Sequence, residues 1–255
     1  MKKFCEGIII QKNKINDDLF ELIIKVGEIV NQCVAGQFVS IYIDDKSKIL
    51  PRPISISEIN KENETISLVI QKVGNGTKIL SNIEEDSKVS ILLPLGNGYD
   101  FQDIKGTVYL IGGGVGIPPL VGAYSELKKL GFNKIKVILG FRNEPFLTNK
   151  FSNNDFEICS DTGNFGFKGN VVEKLLSMEK PDYIISCGPK LMLKGVVEYS
   201  IKNNINSQIS MEERMACSVG VCLGCVINIK DGDKIVSKKV CVDGPVFRGE
   251  ELIFE

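Results

Sequence analysis

Four cysteines near the end of the chain constrain its fold more than any other feature. The stretch "ERMACSVGVCLGC" places Cys217, Cys222 and Cys225 in a C-x4-C-x2-C spacing, and "KKVCVDGP" adds Cys241. Zinc ribbons usually pair two short C-x2-C hairpins, whereas three clustered cysteines and one distant cysteine are typical of plant-type [2Fe–2S] sites. The end of the chain is therefore predicted to fold around a [2Fe–2S] cluster, with structural zinc or packed thiols as alternatives.

The residues between these cysteines favour the cluster. Ala216, Ser218, Gly220 and Gly224 are small, so the backbone can wrap closely and aim its N–H groups at sulfur. Only residues 226–240 separate the third cysteine from the fourth, which is a shorter interval than a typical plant-type ferredoxin has. We therefore expect a variant of that domain.

The composition favours chemistry carried by cofactors. The chain has 255 residues and no histidine, which removes the commonest general base and the commonest neutral metal ligand. A formal net charge of −1 without a polybasic run indicates neither nucleic acid nor a membrane surface as partner. The beginning, "MKKFCEGIIIQKNK", has too short an apolar run for a signal peptide, so we expect a cytoplasmic protein with thiols rather than disulfides.

The hydrophobic pattern changes twice along the chain. Up to about residue 100 it consists of short strands, such as "LFELIIKV" and "TISLVIQ", which predict a small antiparallel barrel. From Thr107 strands alternate with helices, which predicts a parallel α/β domain. After the cysteine stretch, "VINIKDGDKIVSKKV" predicts a hairpin. We expect three domains, at residues 1–102, 103–209 and 210–255.

Two motifs in the barrel suit a flavin. In "LPRPISIS", Arg52 can bind a pyrophosphate and the Ser55 hydroxyl can bond the edge of a flavin ring, with Pro53 fixing the backbone between them. In "VIQKVGNGTKIL", a Gly-x-Gly-Thr turn leads into a helix whose free N–H groups favour phosphate. Taken singly, these motifs are equally compatible with solvated strand residues and a simple loop.

Two further motifs lie in the α/β domain, where strands end. The glycines of "LIGGGVGIPPL" let a dinucleotide approach the backbone, although they do not form the G-x-G-x-x-G fingerprint. "SCGP" ends a later strand, so Cys187 and Gly188 are expected at the same rim of the sheet. A buried, purely packing role remains the alternative for Cys187, and it is the default for Cys5, Cys33 and Cys159.

Together these motifs carry a resemblance. "RPIS", "GGGVGIPP" and "CGP", in this order, resemble the ferredoxin reductase superfamily, and "ERMACSVGVCLGCVI…CVDGPVF" resembles one branch closely. That branch is the electron-transfer subunits of NAD-dependent bacterial dihydroorotate dehydrogenase. The resemblance covers essentially the whole chain and implies an FAD-binding antiparallel β-barrel, a parallel α/β nicotinamide domain and a small C-terminal [2Fe–2S] domain. Members most often carry glycine where Ser218 stands.

The resemblance also implies the binding residues, and it assigns a catalytic role to none of the side chains. The FAD-binding residues are Arg52, Pro53, Ile54, Ser55, Val69, Ile70, Gln71, Gly76 and Thr77. The residues that bind NAD(H) are Gly112, Gly113, Gly114, Gly116, Asp161, Cys187, Gly188 and Pro189. The cluster ligands are Cys217, Cys222, Cys225 and Cys241.

The implied function is electron transfer. NADH and FAD exchange a hydride, and single electrons pass between FAD and the cluster. The implied partner is an FMN-containing catalytic subunit that oxidises dihydroorotate to orotate in pyrimidine (UMP) biosynthesis, in a heterotetramer of two of each chain. Two alternatives stay open: a subunit of a ferredoxin–NAD(P) or sulfide oxidoreductase, against which the complete "ERMAC" signature argues, and a zinc-stabilised binding or sensory module.

Two finer expectations concern nicotinamide specificity and the interface with the partner. Asp161 stands where related NADP-dependent reductases present an arginine, so we expect a preference for NADH, although Arg142 in "GFRNE" could reach a phosphate. Apolar residues also lie between and after the cluster ligands, and part of this set is expected to form the partner interface: Val219, Val221, Leu223, Val246 and Phe247.

Overall fold

Seven antiparallel strands make up the first part of the molecule. The computed structural model describes residues 2–45, 47, 49–152 and 155–254. The strands are β1 (Lys3–Lys14), β2 (Leu19–Lys25), β3 (Phe38–Tyr42), β4 (Arg52–Ser55), β5 (Glu58–Asn60), β6 (Thr65–Gln71) and β7 (Lys88–Leu95). They hydrogen-bond in the order β4-β3-β7-β1-β2-β6-β5, and the short helix α1 (Asn75–Ser81) connects β6 to β7.

The sheet curls because its two edge strands follow one another in the chain. Only Ile56 and Ser57 separate β4 from β5. The Ile56 amide donates to the Gln37 carbonyl at 3.0 Å, and the Ser57 amide donates to the Ser67 carbonyl at 2.9 Å. Alternate residues of the strands fill the interior with fully buried side chains, among them Ile9, Leu22, Ile24, Ile41, Ile66, Leu68 and Ile91. The predicted antiparallel barrel is confirmed.

The second part is an α/β domain with helices between its strands. Its elements are β8 (Val108–Gly113), α2 (Ile117–Lys129), β9 (Ile135–Phe141), β10 (Phe156–Ser160), β11 (Phe167–Lys168), α3 (Val171–Leu176), β12 (Tyr183–Cys187), α4 (Lys190–Lys202) and β13 (Asn206–Ser210). The strand order is β11-β10-β9-β8-β12-β13, followed by β16 (Val246–Arg248) from the last segment. From β8 the chain adds β9, β10 and β11 on one side of that strand. It then crosses back and adds β12 and β13 on the other side. The switch point between β8 and β12 is where such sheets bind ligands.

The last segment is attached to this second sheet. It contains the hairpin β14 (Val226–Asp231) and β15 (Lys234–Lys239), as predicted, and then β16 (Val246–Arg248). β16 pairs antiparallel with β13, with Ile209 opposite Phe247, so the predicted parallel sheet has one antiparallel edge strand. The boundaries 1–102, 103–209 and 210–255 remain proposals, and the third of these segments completes the sheet of the second.

Direct contacts join the barrel to the α/β domain. The Lys150 ammonium lies 2.5 Å from the Glu58 carboxylate, with both side chains about one-third exposed. The Gln208 amide donates to the Asp100 carbonyl at 2.6 Å. These contacts hold the two units against each other. Every helix in the described part of the chain is too short or too polar to span a membrane.

Candidate functional site

A cavity of about 1000 Å³ opens between the barrel and the α/β domain. Its walls come from β4, β6 and the start of α1 on one side, and from the segment after β13 on the other. Eight of the nine residues predicted to bind FAD line it: Arg52, Pro53, Ile54, Ser55, Val69, Ile70, Gln71 and Thr77. The strand register therefore brings together motifs that are separated in the sequence.

The ninth residue, Gly76, acts through Arg52. A Cβ atom at Gly76 would overlap the Arg52 guanidinium, so only glycine lets that group lie flat against the first turn of α1. The guanidinium also donates to the Leu50 carbonyl. Thr77 closes the same turn, because its hydroxyl accepts from the Gly74 amide at 3.1 Å and donates to the Gly74 carbonyl at 3.0 Å. A cation and the amides of a helix start thus meet at one corner, which suits a pyrophosphate.

A second cavity, of about 1370 Å³, lies at the carboxyl ends of the parallel strands. Five of the residues predicted to bind nicotinamide line it: Gly113, Gly114, Asp161, Gly188 and Pro189. Gly116 and Cys187 line the first cavity instead. Gly112 lines neither of them, and a Cβ atom there would lie 2.7 Å from the Leu120 side chain, so this glycine serves strand-to-helix packing.

The loops after β8 and β12 approach each other at the switch point. A Cβ atom at Gly116 would overlap the Cys187 carbonyl and lie 2.5 Å from the Gly188 Cα. The Cys187 side chain is 9% exposed, and burial raises its pKa to about 12, so it stays a thiol at neutral pH. The two motifs chosen from sequence therefore form one rim, shared by both cavities.

The two cavities meet at three residues. Gln71, Val115 and Glu212 belong to the walls of both. Sequence reasoning selected Gln71 and missed Glu212, which directly follows the buried β13 and Met211. The position of Glu212 could have identified it, because a carboxylate just beyond a parallel strand lies on the ligand-binding rim. That inference was not possible because β13 itself was not predicted.

The four cysteines of the last segment lie near one another. The Cys222 amide donates to the Cys217 sulfur at 3.4 Å. Burial raises the pKa of Cys217, but the amides of Cys222, Val219 and Val221 stabilise its thiolate more strongly, so that its pKa falls to about 6. Burial together with the neighbouring Cys225 raises the pKa of Cys241 to about 12. Cys217 also acts on Cys241, so the four thiols interact as one group.

The chemistry of this donor set suits a [2Fe–2S] cluster. Four cysteine thiolates are the usual ligands of such a cluster, and they are also ligands of structural zinc. The thiolate character of Cys217 and the amides around it also suit a cluster.

Comparison with known proteins identifies the family. Residues 212–253 match the family model described as the iron–sulfur cluster binding domain of dihydroorotate dehydrogenase B. The chain is 35% identical over 246 residues to the electron transfer subunit of dihydroorotate dehydrogenase B (NAD(+)) from Streptococcus pneumoniae, covering 94% of each chain. The corresponding subunit from Caldanaerobacter subterraneus is 40% identical over 223 residues, with 86% of this chain and 87% of the relative covered. The chain belongs to the family of dihydroorotate dehydrogenase B electron transfer subunits.

Solved structures agree with this family. A structure titled as an NADH-dependent reduced ferredoxin-NADP oxidoreductase is 29% identical, has a TM-score of 0.85, and covers 97% of this chain and 90% of its own. Phthalate dioxygenase reductase, at 16% identity and a TM-score of 0.65, covers 90% of this chain and 88% of its own and shows the fold alone. The predicted superfamily and fold are thereby confirmed.

The cluster loop of this electron transfer subunit has an unusual serine. Ser218 is 1% exposed, has a φ of 58°, and its hydroxyl has no hydrogen-bond partner within the described ranges. A left-handed backbone costs a non-glycine residue about 1–2 kcal/mol, and an unpaired buried hydroxyl costs about 1–3 kcal/mol. Ser218, the residue next to Cys217, therefore carries two local free-energy costs, one from its backbone conformation and one from its hydroxyl.

Lys239 supports the same loop from the side. Its ammonium donates to the Gly220 carbonyl at 2.6 Å, and Gly220 has a φ of 86° that favours glycine. Lys239 lies at the end of β15, two residues before Cys241. One side chain thus ties the loop that holds the first three cysteines to the strand that leads to the fourth.

The apolar residues of this segment divide into two groups. Val221 is 83% exposed and Leu223 is 74% exposed, at the tip of the cluster loop, and Val219 is also exposed. Phe247 is 6% exposed and packs in the chain's own core, together with Val246. Of the five apolar residues expected at the partner interface, the three at the loop tip are therefore the exposed ones.

Proposed function

We propose that this electron transfer subunit carries electrons between NAD(H) and a catalytic partner through FAD and a [2Fe–2S] cluster. A flavin exchanges two electrons with nicotinamide and single electrons with a cluster, which is the conversion such a chain requires. The link to dihydroorotate is inferred from the family, and the binding sites are inferred from the residues of this chain.

The observation that carries the proposal is the order of the three sites. The second cavity meets the first at Gln71, Val115 and Glu212. The wall of the first cavity continues through Arg214 and Met215, two residues before Cys217. A nicotinamide, a flavin and a cluster bound in these places would follow one another, with the flavin between the other two.

Named residues hold each ligand in this scheme. Arg52 and the first turn of α1 bind the pyrophosphate of FAD, while Ser55 and the strand Val69–Gln71 border its ring. The loop after β8 and Gly188 after β12 receive the nicotinamide nucleotide at the switch point. Cys217, Cys222, Cys225 and Cys241 would hold the cluster.

Nicotinamide specificity follows from the charge of the second cavity. Asp161, Glu144 and Glu173 line it, and their carboxylates would repel a 2′-phosphate. Arg142 and Lys190 lie in the same wall and are cations that could offset them. We propose that the carboxylates dominate and that NADH is preferred over NADPH.

The partner is a separate catalytic subunit. We propose that it carries FMN, oxidises dihydroorotate, and assembles with this chain as a heterotetramer of two of each. The exposed side chains of Val221 and Leu223 would bury themselves against that subunit.

A visible spectrum with flavin and metal analysis tests the proposal. The purified chain should show flavin bands and broad iron–sulfur absorption, and it should contain FAD and two irons for each chain. Addition of the catalytic subunit should then couple dihydroorotate oxidation to NAD reduction. A colourless protein that contains zinc would contradict the proposed function.

A further inference from the structure

The Ser218 hydroxyl is a buried polar group for which the described chain provides no partner. Buried hydroxyls in folded proteins nearly always have one, so an unpaired hydroxyl beside a ligand site indicates that the ligand supplies the partner. Ser40 and Ser57 also lack a partner, but they lie in the barrel and in ordinary backbone conformations. Ser218 alone of these three serines also adopts a left-handed φ and adjoins a proposed cluster ligand.

Ser218 directly follows Cys217 and precedes Cys222 and Cys225, so its buried hydroxyl belongs to the segment that would hold a cluster. A bound cluster would bring thiolate and bridging sulfide sulfur to this segment. Sulfur of this kind accepts hydrogen bonds, and the hydroxyl can donate one.

We propose that the Ser218 hydroxyl donates a hydrogen bond to a sulfur of the bound [2Fe–2S] cluster and raises the cluster's reduction potential. The inference rests on the proposed function, because it requires the cluster. Reduction adds negative charge to the cluster, so a donor stabilises the reduced form more than the oxidised form. Ser218 therefore acts on the cluster through a hydrogen bond, as a positioning residue, and is not an iron ligand.

Two variants separate the hydroxyl from the backbone. Ser218→Ala removes the hydroxyl and keeps the left-handed conformation, whereas Ser218→Gly removes the hydroxyl and relieves the backbone as well. Ser237→Ala is the matched control, because Ser237 is an exposed serine of the same segment whose hydroxyl bonds Asn228 at 3.1 Å. The measurement is a redox titration of the holoprotein, monitored by the electron paramagnetic resonance signal of the reduced cluster.

Both Ser218 variants should have a lower cluster potential than the wild type, and Ser237→Ala should match the wild type. The expected shift corresponds to a change of about tenfold in the one-electron equilibrium constant, or about 59 mV. Potentials equal to that of the wild type in both variants would overturn the inference. If Ser218→Ala loses its cluster, Ser218→Gly alone decides in the same way, because glycine adopts this φ freely.

The same experiment keeps the inference distinct from the proposed function. Unchanged potentials in variants that contain the cluster overturn only the role of Ser218. A wild-type protein without iron–sulfur absorption overturns the proposed function, and the role of Ser218 with it.

Discussion

The flavin corner of the barrel and the cysteine loop are built on different physical principles. At the corner, Arg52 and Gly76 are held by a β-strand and the first turn of a helix, and the cavity between the barrel and the α/β domain is already open. In the loop, no helix or strand spans residues 217–225, and Ser218 retains an unpaired hydroxyl and a strained φ.

The two sites therefore depend on their ligands in different ways. Hydrogen-bonded elements fix the flavin corner before a ligand arrives, so that FAD binds a preformed site. The loop has little regular structure of its own, and its three thiols, together with that of Cys241, become fully satisfied only when a cluster binds. Damage to one site should therefore leave the other largely intact, and each variant below tests this independence.

The largest effect is expected from Cys222→Ser. A hydroxyl is a much poorer iron ligand than a thiolate, so the cluster should be lost or become unstable, and coupled dihydroorotate oxidation with the partner should be lost with it. NADH should still bleach bound FAD, which absorbance can follow. Cys5→Ser in the barrel is the control and should keep its cluster. Coupled turnover near the wild-type rate in protein that lacks a cluster would refute the proposed route.

A smaller but still large effect is expected from Gly76→Ala. The added Cβ meets the flexible end of Arg52, so the chain should fold normally while the guanidinium is displaced. The loss of charge-assisted hydrogen bonds should weaken FAD binding about 10–100-fold, measured by titration of the FAD-depleted protein. Gly74→Ala is the matched control, because a Cβ there meets nothing within 4 Å. Equal FAD affinity in the two variants would show that Arg52 does not contribute to FAD binding. Loss of the cluster in Gly76→Ala would show that the two sites are not independent.

A moderate effect is expected from Asp161→Ala. Removal of one carboxylate from the second cavity should raise kcat/KM for NADPH roughly tenfold and leave that for NADH less changed. Asp233→Ala in the β14–β15 turn is the control and should leave both values unchanged. Comparable wild-type kcat/KM values for NADH and NADPH would contradict the specificity proposed for this site.

The smallest effect is expected from Lys239→Met. Loss of the ammonium that bonds the Gly220 carbonyl should lower the free energy of unfolding by about 1 kcal/mol and speed cluster loss, while FAD binding stays unchanged. Chemical denaturation and the decay of iron–sulfur absorption measure these effects. Lys234→Met, at an exposed position of the same hairpin, should change neither. An effect on FAD affinity as large as that of Gly76→Ala would show that the two sites are coupled.

Sequence patterns predicted those parts of the molecule whose signal is local. Alternating apolar residues indicated the barrel strands, and the glycines after β8 and Cys187 after β12 indicated the rim of the α/β sheet. β13 was missed because "NSQIS" carries mostly polar side chains that the fold buries, so its period-2 apolar signal is a single Ile209.

The parts that could not be predicted depend on contacts between distant segments. The pairing of β16 with β13, and with it the attachment of the last segment, involves residues far apart in sequence. Glu212 enters the site only because β13 precedes it. The burial of the apolar residues near the cysteines could not be predicted either, because it depends on the fold. Val221 and Phe247 are both apolar, but Val221 is exposed and Phe247 is buried.

We propose that electrons pass between nicotinamide and the cluster by way of the flavin. Anaerobic mixing of NADH with the chain, after FAD has been removed and the cluster retained, tests this route. The cluster should stay oxidised, and added FAD should restore its reduction, seen as loss of iron–sulfur absorption and growth of the paramagnetic signal. Rapid reduction of the cluster by NADH without FAD would contradict this route.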